Sequence, residues 1–326
     1  MKSVLTFDYE LFFGNKSGTL ENCILKPTEA LMQLGQKYNV NFVFFVDSGY
    51  LIKLKEFKKK YKTLQKDYDN LISQIEKLNS LEHSIQLHIH PHWEDSYYDG
   101  SKWIFDTSRY RLHSFDEKTI EEIVFNYKKV LTDIVEDKVF AFRAGGWSIQ
   151  PFNKIKNALK TNNIWLDSTV FYGGYNKSAT HFIDFRKAPF KDFWKFEDDI
   201  LIEDNNGFFT EIPISSWYYS PLFFWKFAYT KKFNSNEHKI FGDGVPVGAS
   251  KKDIIKMLIK GAYSPVSTDG YKSKMLQKAY NYYKNKNFKY FVTIGHPKAL
   301  SEFALKNLES FIAKNYQNIF TYKEIF

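Results

Sequence analysis

Three of the eight histidines lie within five residues, in His88-Ile89-His90-Pro91-His92, directly after a short apolar run. Neutral imidazole is a common ligand for Zn and related divalent ions, and two such rings from one strand-end turn can converge on a single ion. His88 and His92 form the better pair, because Pro91 between them breaks the strand and can swing the second ring back. His90 is then a supporting residue. A surface loop that happens to hold histidines is the plainer reading, and so tight a cluster at the end of an apolar run argues against it.

Other apolar runs also end in ionisable side chains. Thr6-Phe7-Asp8-Tyr9-Glu10 carries two carboxylates two residues apart, which share a face if the strand continues. Such a pair suits metal binding and proton transfer. In Phe142-Arg143-Ala144-Gly145-Gly146-Trp147 the glycines allow close backbone approach, and the arginine can hold a carboxylate at two points. Trp165-Leu166-Asp167-Ser168 and Thr293-Ile294-Gly295-His296-Pro297 each deliver one ionisable group, and a histidine so placed can act as general acid or base near neutral pH. Taken singly, each of these is as compatible with a structural role as with chemistry. Five strand ends presenting them together in chain order point to one site.

The elements that must position these residues alternate along the chain. Short apolar runs at Ser3 to Phe7, Val40 to Val46, Ile85 to His88, Val139 to Phe142, Ile164 to Asp167, within Ile200 to Ile214, and at Tyr290 to Ile294 read as about seven strands. Amphipathic stretches separate them. Leu54, Phe57, Tyr61, Leu64, Tyr68, Leu71, Ile75 and Leu78 recur at spacings of three and four, as one long helix or two in line. That stripe packs on the strands, or forms a coiled seam with a second copy. Further helices are expected over Ile120 to Ile134, with Ser114 or Asp116 as N-cap, and over Ser301 to Asn315. The alternation predicts an α/β fold, a distorted barrel, in one domain over residues 1–326. From Phe171 to Asp243 the periodicity fails, which predicts long loops or an aromatic-rich insertion.

The order of these motifs resembles the polysaccharide deacetylases, the NodB-homology group or carbohydrate esterase family 4, and within them a subset with a His-x-His-Pro-His-Trp motif. The resemblance runs from Asp8 to His296. It implies Asp8 as catalytic base, His88 and His92 as metal ligands, Arg143 as the residue orienting the base, His296 as general acid and Asp167 as the residue positioning it. The family's first motif has two adjacent aspartates, where this chain has Asp8-Tyr9-Glu10. Glu10 is therefore the choice for third ligand, and the exchanged assignment, Asp8 as ligand and Glu10 as base, stays open. Ala144-Gly145-Gly146 stands where the family often has prolines, which alters the expected substrate groove.

The implied function is a metal-dependent hydrolase that removes an N-acyl group, acetyl first, from an amino sugar or saccharide. Its cofactor would be a divalent ion, Zn first, with Co or Ni fitting the same ligand types. Hydrolysis of a formamide or another non-sugar amide is a rival within the same chemistry, and a catalytically inactive saccharide-binding protein is a rival of another class.

Composition bounds the partners. Apolar residues make up 44% and charged residues 25% of the chain, as in a globular protein able to bury a core. The formal charge of +9 sits in lysine-rich stretches such as Lys53 to Lys66, where lysines alternate with apolar residues at helical spacing; this reads as a solvated helix face and not as a nucleic-acid surface. Cys23 is alone, so no intrachain disulfide forms. The amino terminus is not read as a signal peptide, and no segment has the length of apolar sequence a membrane span needs, so a cytoplasmic location is expected. Trp217-Tyr218-Tyr219 and Phe223-Phe224-Trp225-Lys226-Phe227, with Lys231 and Lys232, form either a hydrophobic lid or a surface for peripheral membrane contact and a lipid-linked saccharide.

Overall fold

The computed structural model describes residues 1–135, 139–178, 180–233, 236–248 and 250–326. Its strands are β1 (Lys2–Tyr9), β2 (Val43–Asp47), β3 (Ser84–Ile89), β4 (Tyr97–Tyr98), β5 (Trp103–Ile104), β6 (Ala141–Ala144), β7 (Leu166–Asp167), β8 (Tyr175–Lys177), β9 (Phe182–Asp184), β10 (Trp194–Phe196), β11 (Phe209–Glu211), β12 (Ser216–Tyr219), β13 (Ala262–Pro265) and β14 (Tyr290–Gly295). The principal helices are α1 (Lys26–Tyr38), α2 (Ser48–Phe57), α3 (Lys62–Ser80), α4 (Glu117–Val135), α5 (Lys156–Thr161), α6 (Pro221–Lys232), α7 (Lys251–Lys260), α8 (Leu276–Asn285) and α9 (Glu302–Asn315). The seven runs expected as strands are β1, β2, β3, β6, β7, β11 and β14.

The chain gathers into two compact units, the first of Met1–Phe42, Phe171–Gly173 and Ile214–Phe326, the second of Val43–Val170 and Gly174–Pro213. The segment from Phe171 to Asp243, read from the sequence as long loops or an insertion, contributes to both.

In the second unit β2, β3, β6, β7 and β11 pair in parallel in that order, and β10 joins β11 antiparallel. β2 and β3 are buried at every position; β2 is accordingly apolar up to Asp47, whereas β3 keeps an alternation in which Ser84, Gln86 and His88 are buried polar side chains. Phe44, Phe45, Phe142 and Phe152 are among the largest fully buried side chains. The stripe from Leu54 to Leu78 is two helices, α2 and α3. Within this unit α3 packs on α2, α4 and β3, and its apolar face is spent inside the unit and not on a coiled seam. Asp116 caps α4, its carboxylate accepting from the Thr119 N–H at 2.9 Å.

In the first unit β1 and β14 pair in parallel, with Phe7 opposite Gly295. This register brings Asp8, near the end of β1, and His296, the residue after β14, to the same level. A Cβ on Gly295 would lie 2.0 Å from Thr268 Oγ1, so only glycine fits there. Ser301 caps α9, which closes this unit after β14 as expected.

Candidate active site

The histidine cluster belongs to the second unit. His88 lies in β3, and His90 continues in extended backbone (φ −109°, ψ 92°), so the two-residue period of a strand turns both rings to one face. Their Nε2 atoms are 3.0 Å apart and both rings are buried. His88 Nδ1 donates to the Arg143 carbonyl at 2.8 Å. A carbonyl only accepts, so the neutral ring presents its lone pair at Nε2, the arrangement usual in metal-ligating histidine. The backbone of Gly145 approaches the His90 ring, where a Cβ would lie 2.6 Å from Nδ1. This is the close approach that the glycines of the Arg143 motif predicted.

Pro91 then opens a 3-10 turn, Pro91–Asp95, which redirects the chain. His92 stacks on Tyr110, with centroids 5.4 Å apart and planes 9° apart, and on Trp93 at 5.9 Å. The pair brought together is thus His88 and His90, in place of the expected His88 and His92. The proline breaks the strand as anticipated, and the turn it starts carries the third ring into an aromatic stack. Trp93 anchors that turn: its indole N–H donates to Asp47 Oδ2 at 2.6 Å, and a Cβ on Gly49 would collide with the ring at 2.4 Å.

Arg143 is fully buried, donates through Nε to the Ser168 carbonyl at 2.7 Å, and lies over the Phe45 ring at 4.1 Å. Asp167 was expected beside His296. Instead it accepts from the Thr169 N–H at 2.9 Å and hydroxyl at 3.1 Å, and stands opposite Glu211 in the β7–β11 register. Burial pushes both carboxyls up, Glu211 well above its usual range, with the Asp167 charge adding to the effect on Glu211. Glu211 was not singled out from the sequence, because the strand that carries it is three residues long.

The first unit holds the acids and His296. Asp8 and Glu10 are both buried, at 4% and 6% exposure. Their carboxylates lie 3.7 Å and 3.8 Å from His296 Nε2. The carboxylate that holds His296 is Asp269, which accepts from Nδ1 at 2.7 Å and from the backbone N–H at 2.8 Å. This replaces the Asp167 pairing. The physical reason is a bridge between Ser267 and Ile294, which lays the chain after β13 alongside β14. Burial alone would lower the His296 pKa, but Asp269, with Asp8 and Glu10, reverses this and leaves it raised. Sequence reasoning missed Asp269, although Val266-Ser267-Thr268-Asp269-Gly270 is one more acid after a short run. Lys298 was also missed; its buried ammonium donates to Glu10 Oε1 at 2.8 Å.

Among the described residues no helix is long and apolar enough to cross a membrane. No family model matches the sequence. No curated protein matches it either. Solved structures do: a protein described as a polysaccharide deacetylase from Mycobacterium smegmatis superposes with a TM-score of 0.54 at 17% identity, covering 98% of this chain and 85% of that one. The chain therefore has the distorted α/β barrel fold of the polysaccharide deacetylases. Partial matches are the Bc1960 peptidoglycan N-acetylglucosamine deacetylase (TM-score 0.31, 16% identity, 52% of this chain, 57% of that one) and a family 4 acetyl xylan esterase from Clostridium thermocellum in complex with cobalt (TM-score 0.27, 16% identity, 53% and 57%).

Proposed function

We propose that the protein, acting as one domain, is a metal-dependent hydrolase that removes an N-acetyl group from an amino sugar of a saccharide. The observation that carries this reading is the buried His88–His90 pair, whose Nε2 atoms converge. Two imidazole nitrogens held this close, 3.0 Å apart, would be able to share one divalent ion. Imidazole and carboxylate donors suit a borderline divalent ion, with His88 and His90 as ligands and Glu10 proposed as the third from its motif. Such an ion, when bound, polarises the amide carbonyl and acidifies water.

The chain's own residues supply the proton traffic. Asp8 takes the proton of the attacking water, with Arg143 as its orienting residue. His296 gives a proton from Nε2 to the departing amine, and Asp269 fixes the ring by accepting from Nδ1. Amines leave poorly unprotonated, so this step governs kcat. Lys298 neutralises part of the charge that Glu10 brings to a buried position.

The test is acetate release from a panel of N-acetyl oligosaccharides and simple formamides, with elemental analysis of the same preparation. Release from the sugars together with bound divalent ion supports the reading. Cleavage of formamides alone, or no release from any substrate by a metal-replete preparation, overturns it.

A further inference from the structure

A second surface of the first unit has no part in this chemistry. Helix α7 has no buried residue, although half of it is aliphatic. Ile255 and Ile259, one turn apart, are 56% and 67% exposed, and Ile254 is exposed beside them. Lys252, Lys256 and Lys260 repeat at the same four-residue spacing and form a ridge along the helix next to that stripe. The neighbouring helix α6 buries only Phe224 and exposes Leu222, Trp225 and Tyr229, followed by Phe233. The two helices are joined: the Trp225 indole donates to the Leu258 carbonyl at 3.1 Å, and the Tyr218 hydroxyl donates to the Lys260 carbonyl at 2.7 Å.

So much contiguous exposed apolar surface marks a binding face. Its charge identifies the occupant. Residues 221–260 carry eight lysines against Glu237, Asp243 and Asp253. Glu237 is already paired with Lys306, Asp243 accepts from the Thr19 N–H, and Asp253 is bonded to Ser250. A saccharide would stack on aromatic rings but gains little from isoleucine and valine. A second copy would set one lysine ridge against another. An anionic bilayer satisfies both parts, taking the apolar stripe between its headgroups while the lysines reach its phosphates.

We infer that the α6–α7 face docks the protein on an anionic membrane surface, lying in the interface and not spanning it. The aliphatic stripe supplies insertion, and the lysine ridge supplies selectivity for negative lipid. This inference does not depend on the hydrolase reading.

The test is co-sedimentation of the full chain with phosphatidylcholine vesicles, with and without phosphatidylglycerol, at low and high salt. Binding is expected only where phosphatidylglycerol is present, weakened about tenfold or more by high salt. Ile255→Asp with Ile259→Asp should abolish it. Lys252→Gln, Lys256→Gln and Lys260→Gln together should remove the preference for anionic lipid. Thermal melts at the wild-type temperature verify that these variants fold, and acetate release from a soluble N-acetyl oligosaccharide should be unchanged. Lack of sedimentation with phosphatidylglycerol at low salt overturns the inference, as does equal binding by the aspartate variant. A dimer dissolved by the same aspartates would also overturn it, assigning the face to a second copy.

Discussion

The ends of β3 and β14 both carry histidine, and they treat it in opposite ways. At the end of β3, His88 gives its Nδ1 proton to a backbone carbonyl and turns its Nε2 lone pair toward the Nε2 of a second imidazole. At the end of β14, His296 is clasped by Asp269 and faces Asp8 and Glu10, which favours its protonated form. A neutral ring with a fixed tautomer suits a ligand, and a ring kept charged by carboxylates suits an acid. The side chain is the same, and the acceptor at Nδ1 decides its work.

The comparison breaks most visibly if its two ends are disarmed in turn. His90→Ala should remove the bound metal and reduce acetate release to background, whereas His92→Ala should keep the metal and lose melting temperature through the lost aromatic stack. Metal content of the two purified variants checks this, and loss of metal in His92→Ala alone would restore the ligand pair expected from the sequence.

At the other end, His296→Gln should lower kcat by about 10²–10⁴-fold with metal content intact. Asp269→Asn should cost less, about 10–100-fold, because the ring remains but is less well oriented. Asp167→Asn should change kcat far less than Asp269→Asn. Steady-state kinetics on one N-acetyl oligosaccharide rank all three.

Effects on stability are smaller. Glu211 is raised by burial and by Asp167, so in the fold it holds its proton above its ordinary value of 4.5, where the unfolded chain has released it. The folded state then binds more protons than the unfolded one. This contribution is fully present below about pH 4.5 and is lost as pH rises through the raised folded value. Glu211→Gln keeps a donor without a titrating proton and should flatten that fall, as melting temperature against pH will show. Gly49→Ala should cost about 1–3 kcal/mol in a denaturant titration, by pressing a methyl group into Trp93.

Much of the fold was legible because buried parallel strands leave short apolar runs, of which Val43-Phe44-Phe45-Val46 in β2 is the clearest. The ends of those runs located Asp8, Glu10, His88 and His296 for the same reason. What the pattern could not carry was direction. Whether His90 or His92 partners His88 depends on the backbone angles on either side of Pro91, which residue types do not specify. Asp269 follows a stretch too short to read as a strand, and it reaches His296 through a single bridge to β14. Asp167 had the right type and a strand end, but β7 lies between β6 and β11. Lys298 follows His296 by two residues, and only the folded turn lays its ammonium on Glu10.

The most direct test of the central claim is metal titration of chelator-stripped protein, followed in parallel by calorimetry and acetate release. The account predicts that release returns in proportion to one bound divalent ion per chain, and that His88→Ala neither binds the ion nor recovers. Hydrolysis by the stripped protein, or undiminished metal binding by His88→Ala, would contradict it.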